Sequence, residues 1–218
     1  LPPGAPIPPG TIDAVKMGTT VATNALLERK GERVLLLVNR GFADMLRIGN
    51  QARPRLFDLD VRLPELLHER VAEIGGRVAV DGTQIEPLDE AAARVALAEA
   101  HATGIRAVAI VLMHAWAHPQ HEQRIGAIAR EEGFPQVSLS HQASPLPRIV
   151  PRGDTTVVDA YLSPVLRRYV DQVATAADRL AAAVERVAVV GENTPKWIAS
   201  ERAEALKVLQ EELARTVR

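Results

Sequence analysis

Short apolar runs alternate with amphipathic stretches through most of the chain. Residues 33–38 and 107–112 are dominated by aliphatic side chains and have the length of strands that are buried on both faces. Residues 21–29, 90–103 and 119–132 place apolar side chains at helical spacing, and a glycine follows each of them closely. Strands that alternate with helices in this way predict an α/β domain with a mostly parallel sheet.

Weaker patterns predict four further elements. A strand is expected at residues 12–16, a short amphipathic helix at residues 42–48, and another strand at residues 136–139. Residues 155–184 have the composition of a long helix that Pro164 interrupts only mildly. The predicted order therefore continues the alternation of strands and helices.

The segment between the first two long strands carries turn signals. Residues 68–80 alternate apolar and polar side chains around Gly75-Gly76, which predicts a hairpin centred on that pair. Asp81-Gly82 is a further turn signal. Asp89 stands where the N-cap of the following alanine-rich helix is expected.

Changes in composition divide the chain into three parts. Residues 1–11 are rich in proline and glycine and are interpreted as a linker, so we expect the chain to begin inside a longer protein. Residues 12–174 form the predicted domain. Residues 175–218 are richer in alanine, aspartate and arginine, with a strand expected at residues 187–190 and a charged helix after it. This tail is unlike the body of the chain.

Composition narrows the function classes. Hydrophobic residues make up 47% of the chain, which is ample for a core, and the formal net charge of -1 gives no general attraction to nucleic acid or anionic membranes. The absence of cysteine excludes disulfides, thiolate catalysis and cysteine-based zinc sites. No apolar run approaches the ~20 residues of a membrane helix. We therefore expect a globular protein that binds neither nucleic acid nor membrane.

Gly18, Thr19 and Thr20 form a polar turn directly before the first predicted helix. Hydroxyl groups and free N–H groups at a helix start favour a phosphate or carboxylate, and Asn24 lies one helical turn further on the side of Thr20. The same residues also fit an ordinary Ser/Thr helix cap. Because no Gly-Lys-Ser/Thr follows, the turn is not a P-loop.

Three histidines, His114, His118 and His121, precede Glu122 in the segment MHAWAHPQHE. Two of them fall on either side of a predicted helix start, and no His-Glu-x-x-His pattern places two imidazoles on one helix face. We therefore predict no metal site here and interpret the histidines as a strand exit, a cap and a helix surface.

Several serines surround His141, namely Ser138, Ser140 and Ser144. A serine nucleophile of the α/β-hydrolase kind needs a Gly-x-Ser-x-Gly elbow, which this segment lacks. We therefore do not expect serine catalysis, and no catalytic residue is assigned.

Two arginines lie in the proline-flanked segment PRIVPRGD. Arg148 and Arg152 on a rigid loop could clamp a carboxylate, or they could form a structural ion-pair loop with Asp154. Asp154 or Thr155 is the expected N-cap of the long helix that follows.

Five segments in this order resemble the hydantoinase/oxoprolinase family: MGTTVATNALLERKGERV, RGFADMLRIGNQARPRLFDL, AVAIVLMHAWAHPQHEQ, VSLSHQASPLPRIVPRG and TVVDAYLSPVLRRYV. Met17 ahead of the GTT turn, the PRIVPRG segment and Asp159 are more similar to the 5-oxoprolinase branch than to hydantoinase A or acetone carboxylase subunits. The resemblance spans residues 12–174.

The resemblance implies a partial actin-like (ribonuclease H-like) ATPase lobe in a cytoplasmic enzyme of glutathione metabolism. It implies that ATP, with Mg²⁺, phosphorylates the lactam oxygen of 5-oxo-L-proline before water opens the ring to L-glutamate. On this interpretation Gly18, Thr19, Thr20 and Asn24 lie near the nucleotide or the reacting amide, and Arg148 or Arg152 holds the substrate carboxylate. An ATP-dependent hydantoinase-type subunit and a non-catalytic binding or assembly subunit are the alternatives.

The chain also departs from the family pattern. Family members carry a Gly-Gly-Thr-Phe-Thr-Asp phosphate-binding hairpin before the GTT turn and a second Gly-Gly-Thr element further on, and neither occurs in this sequence. We therefore expect that a partner chain or missing portions complete the ATP cleft, and that the chain alone is inactive.

Overall fold

A computed structural model describes residues 20–50 and 65–188, with side chains described up to residue 175. The described residues fall into two units, residues 22–165 and residues 20–21 together with 166–188. The sheet and its packed helices belong to the first unit. In the second unit, residues 166–188 are helical.

Within the described residues, four strands and six helices form. The strands are β1 (Val34–Asn39), β2 (Arg70–Ile74), β3 (Ala107–Val111) and β4 (Gln136–Leu139). The helices are α1 (Val21–Leu27), α2 (Met45–Ile48), α3 (Glu90–Ala102), α4 (Gln120–Glu131), α5 (Ser140–Ala143) and α6 (Ile149–Ala188). None of these helices is both long enough and apolar enough to span a bilayer.

The four strands form one parallel sheet in the order β2-β1-β3-β4. The central strand β1 pairs Leu36 with Val71 of β2 and with Ala109 of β3. Every residue of β1 and β3 is buried, as expected for parallel strands covered on both faces. The predicted α/β fold with a mostly parallel sheet is confirmed.

The two faces of the sheet have separate cores because side chains alternate along each strand. One face packs against α3 and α4, with Leu35, Leu37, Val108, Ile110, Leu97, Ile125 and Ile128 among its buried residues. The other face packs against α2 and the first turns of α6, with Val34, Leu36, Val38, Ala109, Val111, Leu46 and Ala160 among its buried residues. Helices on both faces are typical of a doubly wound sheet.

The predicted strands at 33–38, 107–112 and 136–139 and the predicted helices at 90–103 and 119–132 are confirmed within two residues at each end. The predicted cap is also confirmed, since Asp89 Oδ1 accepts a hydrogen bond of 2.9 Å from the backbone N–H of Ala92. Gly104 and Gly133 follow their helices with φ of 88° and 87°, a left-handed conformation that glycine adopts without steric cost.

The prediction of a hairpin at residues 68–80 is wrong. Residues 70–74 form β2, which pairs in parallel with β1 at the edge of the sheet. An edge strand with one covered face shows the same alternation as a hairpin arm, so the pattern alone could not separate the two. The hairpin lies later, where Val78 pairs antiparallel with Gln84 around a turn at Gly82, whose φ is 89°.

The predicted start of the long helix is also wrong. Helix α6 begins at Ile149, so Asp154 and Thr155 lie inside it and do not cap it. Pro151 falls in the first turn, where a missing N–H breaks no intrahelical hydrogen bond, so the helix can begin before it. At its other end α6 includes residues 187–188, which were predicted as the start of a strand.

Two short helices are shorter than predicted. Helix α1 ends at Leu27, and Arg29 then adopts a left-handed φ of 56°. Helix α2 covers only the second half of residues 42–48. The predicted strand at residues 12–16 and the charged helix of the tail lie outside the described residues.

Candidate functional site

The carboxyl ends of β1 and β3 meet where the topology of the sheet changes direction. The connection after β1 leads to α2 on one face, and the connection after β3 leads to α4 on the other face. Adjacent parallel strands whose connections leave toward opposite faces open a crevice, and ligands of open α/β sheets bind in such crevices. A ligand-binding site is therefore expected at this edge of the sheet.

Asn39 ends β1 at this edge, and its side chain is 3% exposed. Its Oδ1 accepts a hydrogen bond of 2.7 Å from the backbone N–H of Met113, and its Nδ2 donates one of 2.8 Å to the carbonyl of Gly76. Both ends of the amide are therefore used, and one side chain holds together the backbone that follows three neighbouring strands.

Glu122 lies in the first turn of α4 and is fully buried. Its Oε1 accepts hydrogen bonds from the backbone N–H of Leu112 at 2.9 Å and from the Ser140 hydroxyl at 2.5 Å. Its Oε2 lies 3.1 Å from the backbone nitrogen of His141, which donates, and 2.7 Å from Nδ1 of the same residue. The positive end of the α4 dipole also favours a carboxylate at this position.

His141 follows β4 in the short helix α5, and its side chain is 11% exposed. Its Nε2 is buried and has no hydrogen-bond partner among the described residues. Buried polar atoms without partners are uncommon in folded proteins, and each calls for an explanation. The imidazole is therefore fixed on Glu122 through Nδ1, while its Nε2 is enclosed without a hydrogen-bond partner among the described residues.

Arg152 lies in α6 and is fully buried. Its guanidinium donates to the carbonyls of Leu112 and Leu146 at 2.6 Å and 2.9 Å, while its Nε has no partner among the described side chains and backbone atoms. Burial lowers the pKa of Arg152, and the charge of Glu122 acts in the opposite direction. Leu112 is thus held on its N–H side by Glu122 and on its carbonyl side by Arg152.

The structure separates the two arginines that were predicted to hold a carboxylate. Arg148 is exposed, whereas Arg152 is buried with two of its nitrogens on backbone carbonyls. The two side chains therefore occupy different environments. A role for either in holding the substrate carboxylate stays a prediction.

The predicted nucleotide turn is only partly within the described residues. Gly18 and Thr19 lie outside them, Thr20 is exposed directly before α1, and Asn24 is exposed on α1. Both described side chains are accessible to a ligand. The role of these four residues stays a prediction.

The three histidines after β3 bind the neighbouring backbone or form a turn. His118 Nε2 lies 3.1 Å from the carbonyl oxygen of Val80, and His121 Nδ1 lies 3.3 Å from that of Gly76. His114 has a left-handed φ of 60°, and burial, followed by the charges of Arg152, His118 and Arg77, lowers its pKa. Across the described parts of the chain, no three His, Cys, Asp or Glu side chains are grouped as metal ligands would be.

Sequence reasoning did not identify Asn39 or Glu122 as site residues. One usable signal was present, because Glu122 shares the buried face of α4 with Ile125 and Ala129, where a charged residue is unexpected without partners. Ser140 was considered as a nucleophile, and its hydroxyl donates to Glu122. The Glu122, Ser140 and His141 side chains therefore differ from a triad in which the imidazole accepts from the serine.

Comparison with known proteins identifies the family of this chain. Residues 4–133 match the hydantoinase/oxoprolinase N-terminal region. The chain is 44% identical over 188 residues to 5-oxoprolinase 1 of Arabidopsis thaliana, an alignment that covers 78% of this chain and 15% of that protein. The chain thus spans a small part of the length of the relatives that it matches.

Two solved structures are similar to the fold. The crystal structure of ATP-dependent caprolactamase from Pseudomonas jessenii superposes with a TM-score of 0.66 at 36% identity and covers 77% of this chain and 24% of that one. Nucleotide-free acetone carboxylase superposes with a TM-score of 0.62 at 26% identity over 68% of this chain and 23% of that one. These likenesses fit the predicted actin-like fold. The chain therefore belongs to the hydantoinase/oxoprolinase family.

Proposed function

We propose that this chain is part of an ATP-dependent 5-oxoprolinase, which opens 5-oxo-L-proline to L-glutamate through a phosphorylated lactam. The observation that supports this substrate best is the 44% identity over 188 residues to a 5-oxoprolinase. An enzyme of this kind fits a cytoplasmic setting within glutathione metabolism.

The chemistry explains why ATP is needed. An unstrained amide is a poor electrophile, and transfer of a phosphoryl group to its oxygen makes the carbon open to attack by water. Gly18, Thr19, Thr20 and Asn24 are the proposed residues near the nucleotide or the reacting amide, and exposure of Thr20 and Asn24 fits that role. Arg148 or Arg152 is proposed to hold the substrate carboxylate.

Magnesium is part of the proposal for the assembled enzyme only. Mg²⁺ prefers carboxylate oxygens and phosphates, and the described residues contain no group of acidic side chains that fits it. We assign no ligand to the metal in this chain and derive no step through it.

We propose that catalysis requires further portions of the enzyme or a partner chain, since this chain spans 15% of its 5-oxoprolinase relative. Phosphoryl transfer needs phosphate-binding elements and metal ligands assembled in one site. The lactam substrate is a small molecule, and neither nucleic acid nor a membrane is a proposed partner.

The test is ATP hydrolysis with and without 5-oxo-L-proline, by the chain alone and by the chain mixed with the complementary portions of a related enzyme. The proposal predicts hydrolysis that the lactam stimulates only in the mixture. Copurification without stimulated hydrolysis would instead indicate a non-catalytic assembly subunit.

A hydantoinase-type subunit, or a lactamase subunit that acts on a larger ring, is the second candidate, supported by the likeness to caprolactamase at a TM-score of 0.66. Caprolactam has a larger ring than 5-oxo-L-proline, and neither caprolactam nor hydantoin carries the carboxylate of 5-oxo-L-proline. A comparison of kcat/KM for 5-oxo-L-proline, hydantoin and caprolactam in the assembled enzyme separates them.

A further inference from the structure

The segments that follow β2 and β3 are in contact at the carboxyl edge of the sheet. Nδ1 of His121 lies 3.3 Å from the carbonyl oxygen of Gly76, and Nε2 of His118 lies 3.1 Å from that of Val80. Arg77 lies between these two contact points in the sequence. The backbone on both sides of this arginine is therefore held against the residues that follow β3.

Asn39 adds a second connection between the same two segments. Its amide donates to the carbonyl of Gly76 and accepts from the N–H of Met113. Arg77 is the next residue after Gly76, and His114 is the next residue after Met113. One buried side chain at the end of β1 therefore fixes the backbone that carries a guanidinium and an imidazole.

The guanidinium of Arg77 reaches from β2 toward the crevice. Its Cζ lies 5.5 Å from the centre of the Phe42 ring, and Phe42 belongs to the segment that follows β1. Arg77 is exposed and forms no salt bridge within the described part of the chain. The neighbouring Arg40, by contrast, is paired with Glu86 at 3.0 Å. The charge of Arg77 is therefore accessible to a ligand.

His114 follows β3, on the other side of the crevice, in a strained backbone conformation. Its φ is 60°, in the left-handed region that is uncommon for residues other than glycine. Residues held in this conformation are concentrated at active sites and at contacts with ligands. The residue is partly exposed, and the N–H of His118 donates to its carbonyl at 2.9 Å, which closes the turn.

The charges near His114 favour an anion. Burial lowers the pKa of its imidazole, and the positive charges of Arg152, His118 and Arg77 lower that pKa further. Arg152 is the buried arginine that donates to the carbonyl of Leu112, just before this turn. A negatively charged group beside Arg77 and His114 reduces the repulsion and accepts charge-assisted hydrogen bonds.

We propose that Arg77 and His114 bind the carboxylate of the lactam substrate. The inference rests on the proposed function and deepens it, because it names the residues that contact this carboxylate directly. Arg152 then acts indirectly, by holding the backbone ahead of His114, and Arg148 has no direct contact. Neither Arg77 nor His114 was a candidate for this role from the sequence.

A carboxylate suits this site better than the phosphates of a nucleotide. Phosphate groups are commonly held by several backbone N–H groups of one loop. The N–H groups of Gly41 and Ala43 converge at this edge of the sheet, but both donate to Oε1 of Glu73, at 2.8 Å and 3.0 Å. A guanidinium and an imidazole instead match the two oxygens of a single carboxylate.

The first test measures binding by the chain itself, since both proposed contacts belong to it. 5-Oxo-L-proline, 2-pyrrolidinone and inorganic phosphate are added separately, and ¹H NMR follows the imidazole signals of His114. The ligand 2-pyrrolidinone has the same five-membered lactam ring but no carboxylate. We expect a saturable shift with 5-oxo-L-proline, and binding of 2-pyrrolidinone that is weaker by about tenfold or more.

Three results of this test would overturn the inference. Equal binding of 5-oxo-L-proline and 2-pyrrolidinone would show that the carboxylate is not recognised. A shift with phosphate alone would assign the site to a phosphate of the nucleotide. Unchanged His114 signals with all three ligands would show that no anion binds beside this residue.

Two variants remove the proposed contacts with small changes in shape. Arg77→Met keeps an unbranched side chain beside Phe42 but removes the charge, and His114→Asn introduces a residue that tolerates a left-handed φ. Calorimetric titration of each is expected to show binding of 5-oxo-L-proline weakened by about tenfold or more. Binding of 2-pyrrolidinone should not change.

The matched control is Arg130→Met. Arg130 is an exposed arginine in the last turn of α4, which runs from the carboxyl edge of the sheet toward the opposite edge. Its replacement is expected to leave the affinity for 5-oxo-L-proline within about twofold of the wild type. Circular dichroism checks that all three variants are folded. Wild-type affinity in both Arg77→Met and His114→Asn would overturn the inference.

Failure of the proposed function is a separate outcome. In the assembled enzyme, Arg77→Met and His114→Asn are expected to raise KM for 5-oxo-L-proline by about tenfold or more, with a smaller change in kcat. A wild-type assembly without lactam-stimulated turnover would refute the proposed function. The titrations of the chain would still decide whether Arg77 and His114 bind a carboxylate.

Discussion

Asn39 Oδ1 accepts a 2.7 Å hydrogen bond from the backbone N–H of Met113, 74 residues away in the sequence. The same amide donates to the carbonyl of Gly76, so the ends of β1, β2 and β3 are fixed relative to one another. A crevice between β1 and β3 keeps its shape only if these ends stay in register. The geometry of the candidate site therefore depends on this one side chain.

Replacement of Asn39 by alanine should lower the free energy of unfolding by about 2 kcal/mol, because the Met113 N–H and the Gly76 carbonyl both lose a partner. Urea unfolding of the chain measures this. Asn24→Ala is the matched control on the exposed face of α1, where a change of less than about 0.5 kcal/mol is expected. Equal effects of the two substitutions would contradict the role given to Asn39.

Gly31 is required by the ring of Tyr161. A Cβ atom at position 31 would overlap the ring carbons of Tyr161, which is buried against the sheet, and the backbone N–H of Glu32 donates to the Tyr161 carbonyl at 3.0 Å. Gly31→Ala should destabilise the chain by roughly 2–3 kcal/mol through overpacking.

A double-mutant cycle isolates this contact. In a Tyr161→Ala background the ring is absent, so Gly31→Ala should cost far less than it does in the wild type. Additive effects of the two substitutions, measured by urea unfolding, would show that the ring does not limit position 31.

The two arginines of the PRIVPRG segment should respond differently to alanine substitution. Arg152→Ala empties a fully buried position and removes the donor to the buried carbonyl of Leu112 and to that of Leu146, so it is expected to destabilise the chain by about 3 kcal/mol. Arg148→Ala, at an exposed position, should change stability by less than about 0.5 kcal/mol. A large loss of stability for Arg148→Ala, measured by thermal and urea unfolding, would contradict this assignment.

Stability should fall as the pH falls below about 6.5, partly because of His68. Burial lowers the pKa of His68 from 6.5, and its Nδ1 has no partner within the described ranges. Above pH 6.5 both folded and unfolded states are neutral at this residue. Below it the unfolded state binds the proton first, so the loss of stability grows until the pH passes the lowered folded pKa.

His68→Leu removes this group and should flatten the dependence of the unfolding free energy on pH between 7.5 and about 5. Urea unfolding of the wild type and of His68→Leu at a series of pH values gives the slope of the unfolding free energy against pH for each protein. His114, whose pKa is also lowered, contributes a remaining slope in the same direction. An unchanged slope in His68→Leu would show that His68 does not titrate differently in the folded state.

The sequence predicted the fold most accurately at strands that are buried on both faces. The continuous aliphatic runs of β1 and β3 predicted their strands, because both faces of each are buried. It was least informative for β2, because alternating apolar and polar residues fit both an edge strand and a hairpin. It also misplaced the start of α6, because Pro151 was interpreted as part of a loop although it lies in the first turn of the helix.

The candidate site was harder to predict than the fold. Asn39 meets Met113, and Glu122 meets His141, through hydrogen bonds between residues that are distant in the sequence. No local spacing encodes these pairs, because they depend on the order of strands in the sheet. The buried position of Glu122 on α4 was the one local sign of a polar cluster.

Formation of L-glutamate from 5-oxo-L-proline by the chain assembled with the complementary portions of the enzyme tests the central claim most directly. Glutamate and phosphate are measured in the same samples, with and without ATP. The account predicts that both products appear in equal amounts, and only when ATP and the lactam are present together. Phosphate release without glutamate, from an assembly shown to be folded, would contradict it.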